Sequence, residues 1–213
     1  MPPESPTAAW LKKRLLLESL VAALPPPDAA AAADDSITCD FLLRLLRAGS
    51  MVGADAALLQ ELETRAARRL DQASLGAVMV PASGHAQATL LDVPLVLRLV
   101  RGFLKEGGKG AGGGAGARVA RLVDAYLAEA ALEAGLRPAE LEELARAVPA
   151  HARAADDALY RAVDTYLKVT IRARTHSLNS VSFCIISEQY FWSMFVAVCT
   201  FGQWSLDCVK TCD

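Results

Sequence analysis

Apolar positions recur along most of the chain at intervals of three and four, the spacing that lines one face of an α-helix. Leu17, Leu20, Val21 and Leu24 give the first stripe. They predict a helix over about 8–24 that Pro25, Pro26 and Pro27 end, because proline has no amide hydrogen to continue the ladder. A second helix begins at Ser36 or Thr38, either able to cap it, and carries Phe41, Leu42, Leu45 and Leu46. Gly49 and Gly53 bracket the turn that follows. A third helix, over about 55–70, turns Leu59, Leu62, Ala66 and Leu70 inward.

The pattern fades after Gln72, through Val80-Pro81 and a polar Ser83-Gly84-His85 turn, and returns strongly near residue 93. There Val93, Val96, Leu97, Val100, Phe103 and Leu104 form a stripe, with Asp92 as cap and Pro94 in the first turn. A fifth helix carries Val119, Leu122, Val123, Tyr126, Leu127 and Ala130. A sixth starts at Pro138, places Glu140, Glu142 and Glu143 where the helix dipole favours them, and stops at Pro149. A seventh, over about 156–168, sets Leu159, Val163, Tyr166 and Leu167 inward. The run Ala29–Ala33 is expected to be a spacer and the glycines of 107–116 a flexible loop. Seven amphipathic segments without a convincing strand predict an all-α fold, an irregular helical bundle or solenoid-like array of short helices.

From Val169 the character changes. Seven of the thirteen aromatic residues and four of the five cysteines lie beyond this point, with few charges. The expected organisation is a flexible lead at 1–7, a helical domain at 8–168 and a divergent, apolar, Cys- and aromatic-rich tail at 169–213. Phe183 to Trp204 matches the roughly 20 residues that cross a bilayer, but Glu188, Gln189 and Gln203 interrupt it, so a tail anchor is not expected.

Composition narrows the function classes. The 213 residues suit one domain, and 22 Lys+Arg against 24 Asp+Glu leave a net charge of −2, which offers no electrostatic footprint for nucleic acid. The five cysteines, Cys39, Cys184, Cys199, Cys208 and Cys212, form no framework. No export signal precedes them, so a reducing cytoplasmic setting without disulfides is expected. The glycine run is not a phosphate-binding loop: Lys109 is followed by Gly110, and the hydroxyl residue that meets magnesium is missing. His85, His151 and His176 stand far apart, and Cys208 and Cys212 have no second pair of ligands near them. Glu140, Glu142 and Glu143 are read as a solvated helix face. No catalytic constellation, cofactor site or metal site emerges, and the chain is not expected to be an enzyme.

Six ordered blocks carry a resemblance. They are Leu16-Leu-Glu-Ser-Leu-Val-Ala-Ala-Leu-Pro25, Cys39-Asp-Phe-Leu-Leu-Arg-Leu-Leu-Arg-Ala48, Leu70-Asp-Gln-Ala-Ser-Leu75, Asp92-Val-Pro-Leu-Val-Leu-Arg-Leu-Val-Arg-Gly-Phe-Leu104, Val123-Asp-Ala-Tyr-Leu-Ala-Glu129 and Leu159-Tyr-Arg-Ala-Val-Asp-Thr-Tyr-Leu-Lys168. Together, over about Trp10 to Lys168, the chain resembles the plant non-phototropic hypocotyl domain of BTB-type phototropic-response proteins. The resemblance implies a substrate adaptor of cullin-based ubiquitin ligases, some of which work beside blue-light receptors at the plasma membrane. It implies protein partners: a ligase target, a photoreceptor or a full-length family member. The cullin-docking BTB module and the opening of the plant domain are not found in these residues, so a truncated member that does not itself recruit the ligase is expected. The resemblance also maps a candidate phosphorylation site to Tyr160, at the edge of the stripe formed with Val163 and Leu167. Two further readings remain open: an unstable truncated fragment, and a helical scaffold unrelated to ubiquitin.

Overall fold

The computed structural model describes residues 6–25, 37–82, 90–106, 113–153 and 157–175. Among them are eight α-helices: α1 (Pro6–Ala22), α2 (Cys39–Val52), α3 (Ala56–Arg68), α4 (Leu75–Val78), α5 (Val93–Glu106), α6 (Gly113–Ala130), α7 (Pro138–Ala147) and α8 (Asp157–Thr175). Single 3-10 turns occupy Leu70–Gln72 and Ala150–Ala152. The all-α expectation holds. The spacer at 29–33, the His85 turn and the segment 183–204 lie outside the described residues, whereas α8 runs on past Lys168 to Thr175.

Local chemistry explains where the helices begin and end. The Thr38 hydroxyl accepts from the Phe41 amide at 3.2 Å and opens α2. Asp55 Oδ2 accepts from the Ala57 amide at 3.1 Å, and Asp92 Oδ1 from the Leu95 amide at 3.0 Å, satisfying donors that have no partner within their own helix. Gly53 closes α2 in the left-handed region (φ 64°), where a side chain would be strained. Gly49, expected in the turn, is instead inside α2 and buried. A Cβ there would lie 2.6 Å from Leu59 Cδ2, so the missing side chain is what lets α3 approach. Gly113, Gly114 and Gly116, expected in a loop, form the first turn of α6. Packing overrides their low helix propensity: the Cβ position of Gly116 faces Ala152 at 3.8 Å.

The single turn of α4 has too few residues to show a periodicity. Asp40, in the first turn of α2, accepts from both the amide (2.9 Å) and the hydroxyl (2.6 Å) of Ser74, which in turn caps α4. Beyond α4, Pro81 and Leu91 form an isolated antiparallel bridge, with the Ala82 amide donating to Leu90 O (2.8 Å) and the Asp92 amide to Val80 O (2.9 Å). Glu133 locks this clasp from the α6–α7 connection: its two oxygens accept from the amides of Leu90 (2.7 Å) and Leu91 (3.1 Å).

Helix packing closes on itself. α2 rests on α3, α3 on α5, α5 on α7 and α7 on α6, while α4 and the 70–72 turn bridge α6 back to α2. That ring is an irregular bundle with a single core rather than an open solenoid. Leu42, Leu43, Leu62, Leu70, Val93, Val96, Leu99, Leu127, Leu141 and Leu144 are among its most buried side chains. Two helices lie outside the ring, α1 against α2 and α8 against α6. Arg98 to Glu63 (2.8 Å) and Arg118 to Asp71 (2.6 Å) tie the elements at the surface. Such exposed pairs each contribute about 0–1 kcal/mol, so apolar burial dominates the fold.

Candidate functional site

Among the described residues, a surface feature that combines concavity with charge lies where α8 meets α6. Ala117, Ala120, Ala125, Ala128, Ala152 and Ala158 wall a cleft of about 470 Å³, which Arg121, Asp124, Arg153 and Arg161 also line. The cleft exists because the outer flank of α6 carries methyl groups where its core flank carries Val119, Val123, Tyr126 and Leu127. α8 therefore fills the core side with Leu159, Ala162 and Tyr166 and leaves space beside Ala158 and Arg161.

An ion pair sits within this cleft wall. Arg153 Nε donates to Asp124 Oδ1 at 3.0 Å, and the two side chains are 4% and 8% exposed. Arg153 Nη1 donates to Val148 O at 3.3 Å, while Nη2 is buried without a hydrogen-bond partner. An orphaned buried donor of this kind costs about 1–3 kcal/mol, more when it belongs to a charged group. Arg121 and Arg161 are exposed. Against three guanidinium groups the lining supplies the single carboxylate of Asp124, whose Oδ1 is engaged by Arg153. Of these four residues the sequence points only to Arg161, as a neighbour of Tyr160 and not as part of a cleft. The available signal was Asp124 itself, a carboxylate one helical turn from Ala120 and Leu127 on an otherwise apolar face.

Tyr160 lies on α8 and is half-buried, away from the cleft-lining pair Ala158 and Arg161. The neighbours expected to share its stripe, Val163 and Leu167, are also half-buried; the core contacts come from Leu159, Ala162 and Tyr166. His151 is exposed in the 150–152 turn, and His85 and His176 lie outside the described residues. Cys39 is buried, its thiol donating to Ala66 O at 3.4 Å. Burial, reinforced by Asp40 and Asp71, pushes that thiol up to about 12, so it is no nucleophile at neutral pH. The other four cysteines lie outside the described residues.

Each glutamate at the start of α7 is held by an arginine: Glu140 by Arg137 (2.6 Å), Glu142 by Arg146 (2.6 Å) and Glu143 by Arg101 (3.2 Å). Burial alone would raise the Glu140 carboxyl. The side-chain hydrogen bond, backbone hydrogen bond and charge of Arg137 outweigh it and hold the group below its ordinary value. Among the described residues no group of three His, Cys, Asp or Glu side chains could hold a metal ion, and no helix is long and apolar enough to cross a membrane.

A second surface distinguishes α1. Leu17 and Val21 are buried against the bundle, but Leu20, expected beside them, is exposed. With Leu11, Leu15 and Leu16 it leaves the helix sides away from Leu17 and Val21 apolar and uncovered, and Trp10, two turns before Leu17 on the same side, is exposed as well. The α1 sequence is apolar nearly all round, so period alone could not say which leucines the core takes. Phe41, expected inward on α2, is likewise 43% exposed, because Cys39, Leu42, Leu43 and Leu46 already fill the α2 contact.

Root phototropism protein 3 of Arabidopsis thaliana is 38% identical over 166 residues, which covers 63% of this chain and 22% of the relative. Coleoptile phototropism protein 1 of Oryza sativa subsp. japonica is 38% identical over 174 residues, 63% of this chain and 23% of the relative. A BTB/POZ domain-containing protein of Arabidopsis thaliana is 37% identical over 147 residues, 60% of this chain and 25% of its own length. The chain thus spans a quarter or less of the length of these curated relatives. No solved structure matches it. Residues 2–184 match the model of the NPH3 family, which is most of the 213 residues, and the chain belongs to that family.

Proposed function

We propose that this chain is a protein-interaction module of a substrate adaptor for cullin-based ubiquitin ligases, acting without enzymatic chemistry in phototropic signalling. Family membership and relatives named for phototropism support the signalling context. Relatives named for a BTB/POZ domain support the adaptor role. The observation that carries the interaction role is the outward side of α1, where Leu11, Leu15, Leu16 and Leu20 are between 46% and 64% exposed. Apolar side chains clustered in that way on a helix mark a surface that another protein covers. The partners are a ligase target, a photoreceptor or a full-length family member. The working place is the cytoplasm, reaching the inner side of the plasma membrane through those partners. Tyr160 is the proposed phosphorylation site, since a half-buried ring at a helix edge loses its packing once it carries a phosphate.

Binding of the purified chain to a purified full-length phototropism relative, to its photoreceptor and to a cullin tests this reading. Association with the relative or the photoreceptor, lost in Leu11→Glu/Leu15→Glu, is expected, with no direct association with the cullin. A chain that melts cooperatively yet binds none of the three would refute it.

A further inference from the structure

We infer that the cleft between α6, the 150–152 turn and α8 is a binding site for a phosphate monoester carried on a side chain of a protein partner. The charge balance points there. Arg121, Arg153 and Arg161 bring three positive charges and Asp124 one negative charge, leaving a surplus of two. A phosphorylated side chain carries between about 1.5 and 2 negative charges at neutral pH, whereas a carboxylate carries one. Guanidinium groups are suited to this task, because their planar forks meet phosphate oxygens with paired hydrogen bonds.

The division of labour within the cleft supports the same ligand. Asp124 Oδ1 and Val148 O take Nε and Nη1 of Arg153, which fixes its guanidinium in place, and Nη2 remains a buried donor without an acceptor. Arg121 and Arg161 are exposed and meet an arriving anion first. A volume of about 470 Å³ exceeds what a bare inorganic ion fills. The alanine methyl groups that wall it suit the hydrocarbon stem that bears the phosphate rather than a second charged group. The site lies on the α6–α8 side of the bundle and does not involve the apolar face of α1, so it stands independently of the ubiquitin-ligase reading.

Isothermal titration of the whole chain with phenyl phosphate, inorganic phosphate and benzoate, at matched ionic strength, tests the inference. Phenyl phosphate is expected to bind at least tenfold more tightly than either of the others. Its affinity should fall as pH drops through about 6, where the phosphate dianion gains a proton. The variant Arg121→Ala/Arg161→Ala removes two exposed side chains, is expected to melt as the parent does, and should weaken phenyl phosphate binding at least tenfold. Arg153→Lys keeps the charge and loses the fork, and should weaken it as well. Equal binding of benzoate would overturn the phosphate assignment, and equal binding of inorganic phosphate would overturn the side-chain-borne source. Unchanged affinity in the Arg121→Ala/Arg161→Ala variant would overturn the site itself.

Discussion

Replacing either member of the Asp124–Arg153 pair tests how much the α6–α8 junction depends on a buried charge. The two groups are 3.0 Å apart and nearly excluded from solvent. At an effective dielectric constant of about 20, unit charges at that separation attract by about 5 kcal/mol before the cost of leaving water is counted. Desolvation consumes much of that attraction, so the intact pair adds little net stability. Breaking it is a different matter, since Asp124→Ala strands the Arg153 guanidinium among alanines and Arg153→Ala strands the carboxylate. Each single variant is therefore expected to lose about 3–5 kcal/mol. For a chain of this size that lowers the melting temperature by about 6–20 °C. The paired replacement Asp124→Leu/Arg153→Met removes both charges and should cost less than either single change. Urea unfolding followed by far-ultraviolet circular dichroism measures all three. Single variants within 1 kcal/mol of the parent, with an additive double variant, would show that water reaches the pair and that the reasoning fails.

Two buried tyrosines should respond oppositely to loss of the hydroxyl. Tyr166 donates to Leu136 O at 3.0 Å, so Tyr166→Phe should destabilise by about 1–2 kcal/mol; the Tyr126 hydroxyl has no partner, so Tyr126→Phe should be neutral or stabilising in the same unfolding assay. Glu133→Gln replaces a carboxylate that accepts from two amides and should cost about 1.5–3 kcal/mol, with hydrogen exchange at Leu90 and Leu91 accelerating before that of the core. Because the Glu140 carboxyl is held below its ordinary value, its share of stability is present above the unfolded-state value and is lost as pH falls through the folded one. Stability measured across that acidic range should flatten in Glu140→Gln, and an unchanged acid limb would count against the Arg137 contact as its cause.

The one-sided stripes of the chain mapped directly onto the core. Val93, Val96, Leu97, Val100 and Phe103 are buried as their spacing requires, and Asp92 and Thr38 cap the helices that follow them. Where the pattern was two-sided, as in α1, period could not choose between Leu17 and Leu20, because the choice is made by where α2 lies. Phe41 failed for the same reason: a helix contact is filled by the residues nearest the partner's axis, whatever their hydrophobicity. The glycines of α6 failed because a tertiary contact with the 150–152 turn outweighs intrinsic propensity. The charged cleft was hidden altogether. Its central pair joins residues 29 apart in the chain, and no local pattern encodes which arginine will meet a lone carboxylate on an apolar face.

The clasp at Pro81 and Leu91 has a consequence for how the chain tolerates change in length. Ala82 and Leu90 are joined by a hydrogen bond, and Glu133 holds the return strand from outside, so the entry and exit of the intervening seven residues are fixed independently of what lies between them. Doubling the length of such a closed segment costs only about 0.6 kcal/mol in closure entropy. Insertions between 83 and 89 are therefore nearly silent for the bundle, whereas a single-residue insertion within 90–92 would shift the register of Asp92 and uncap α5. In engineering terms the clasp is a port: an epitope or fluorescent reporter placed there would travel with the protein while the hydrogen bonds at Ala82, Leu90 and Leu91 hold its two ends.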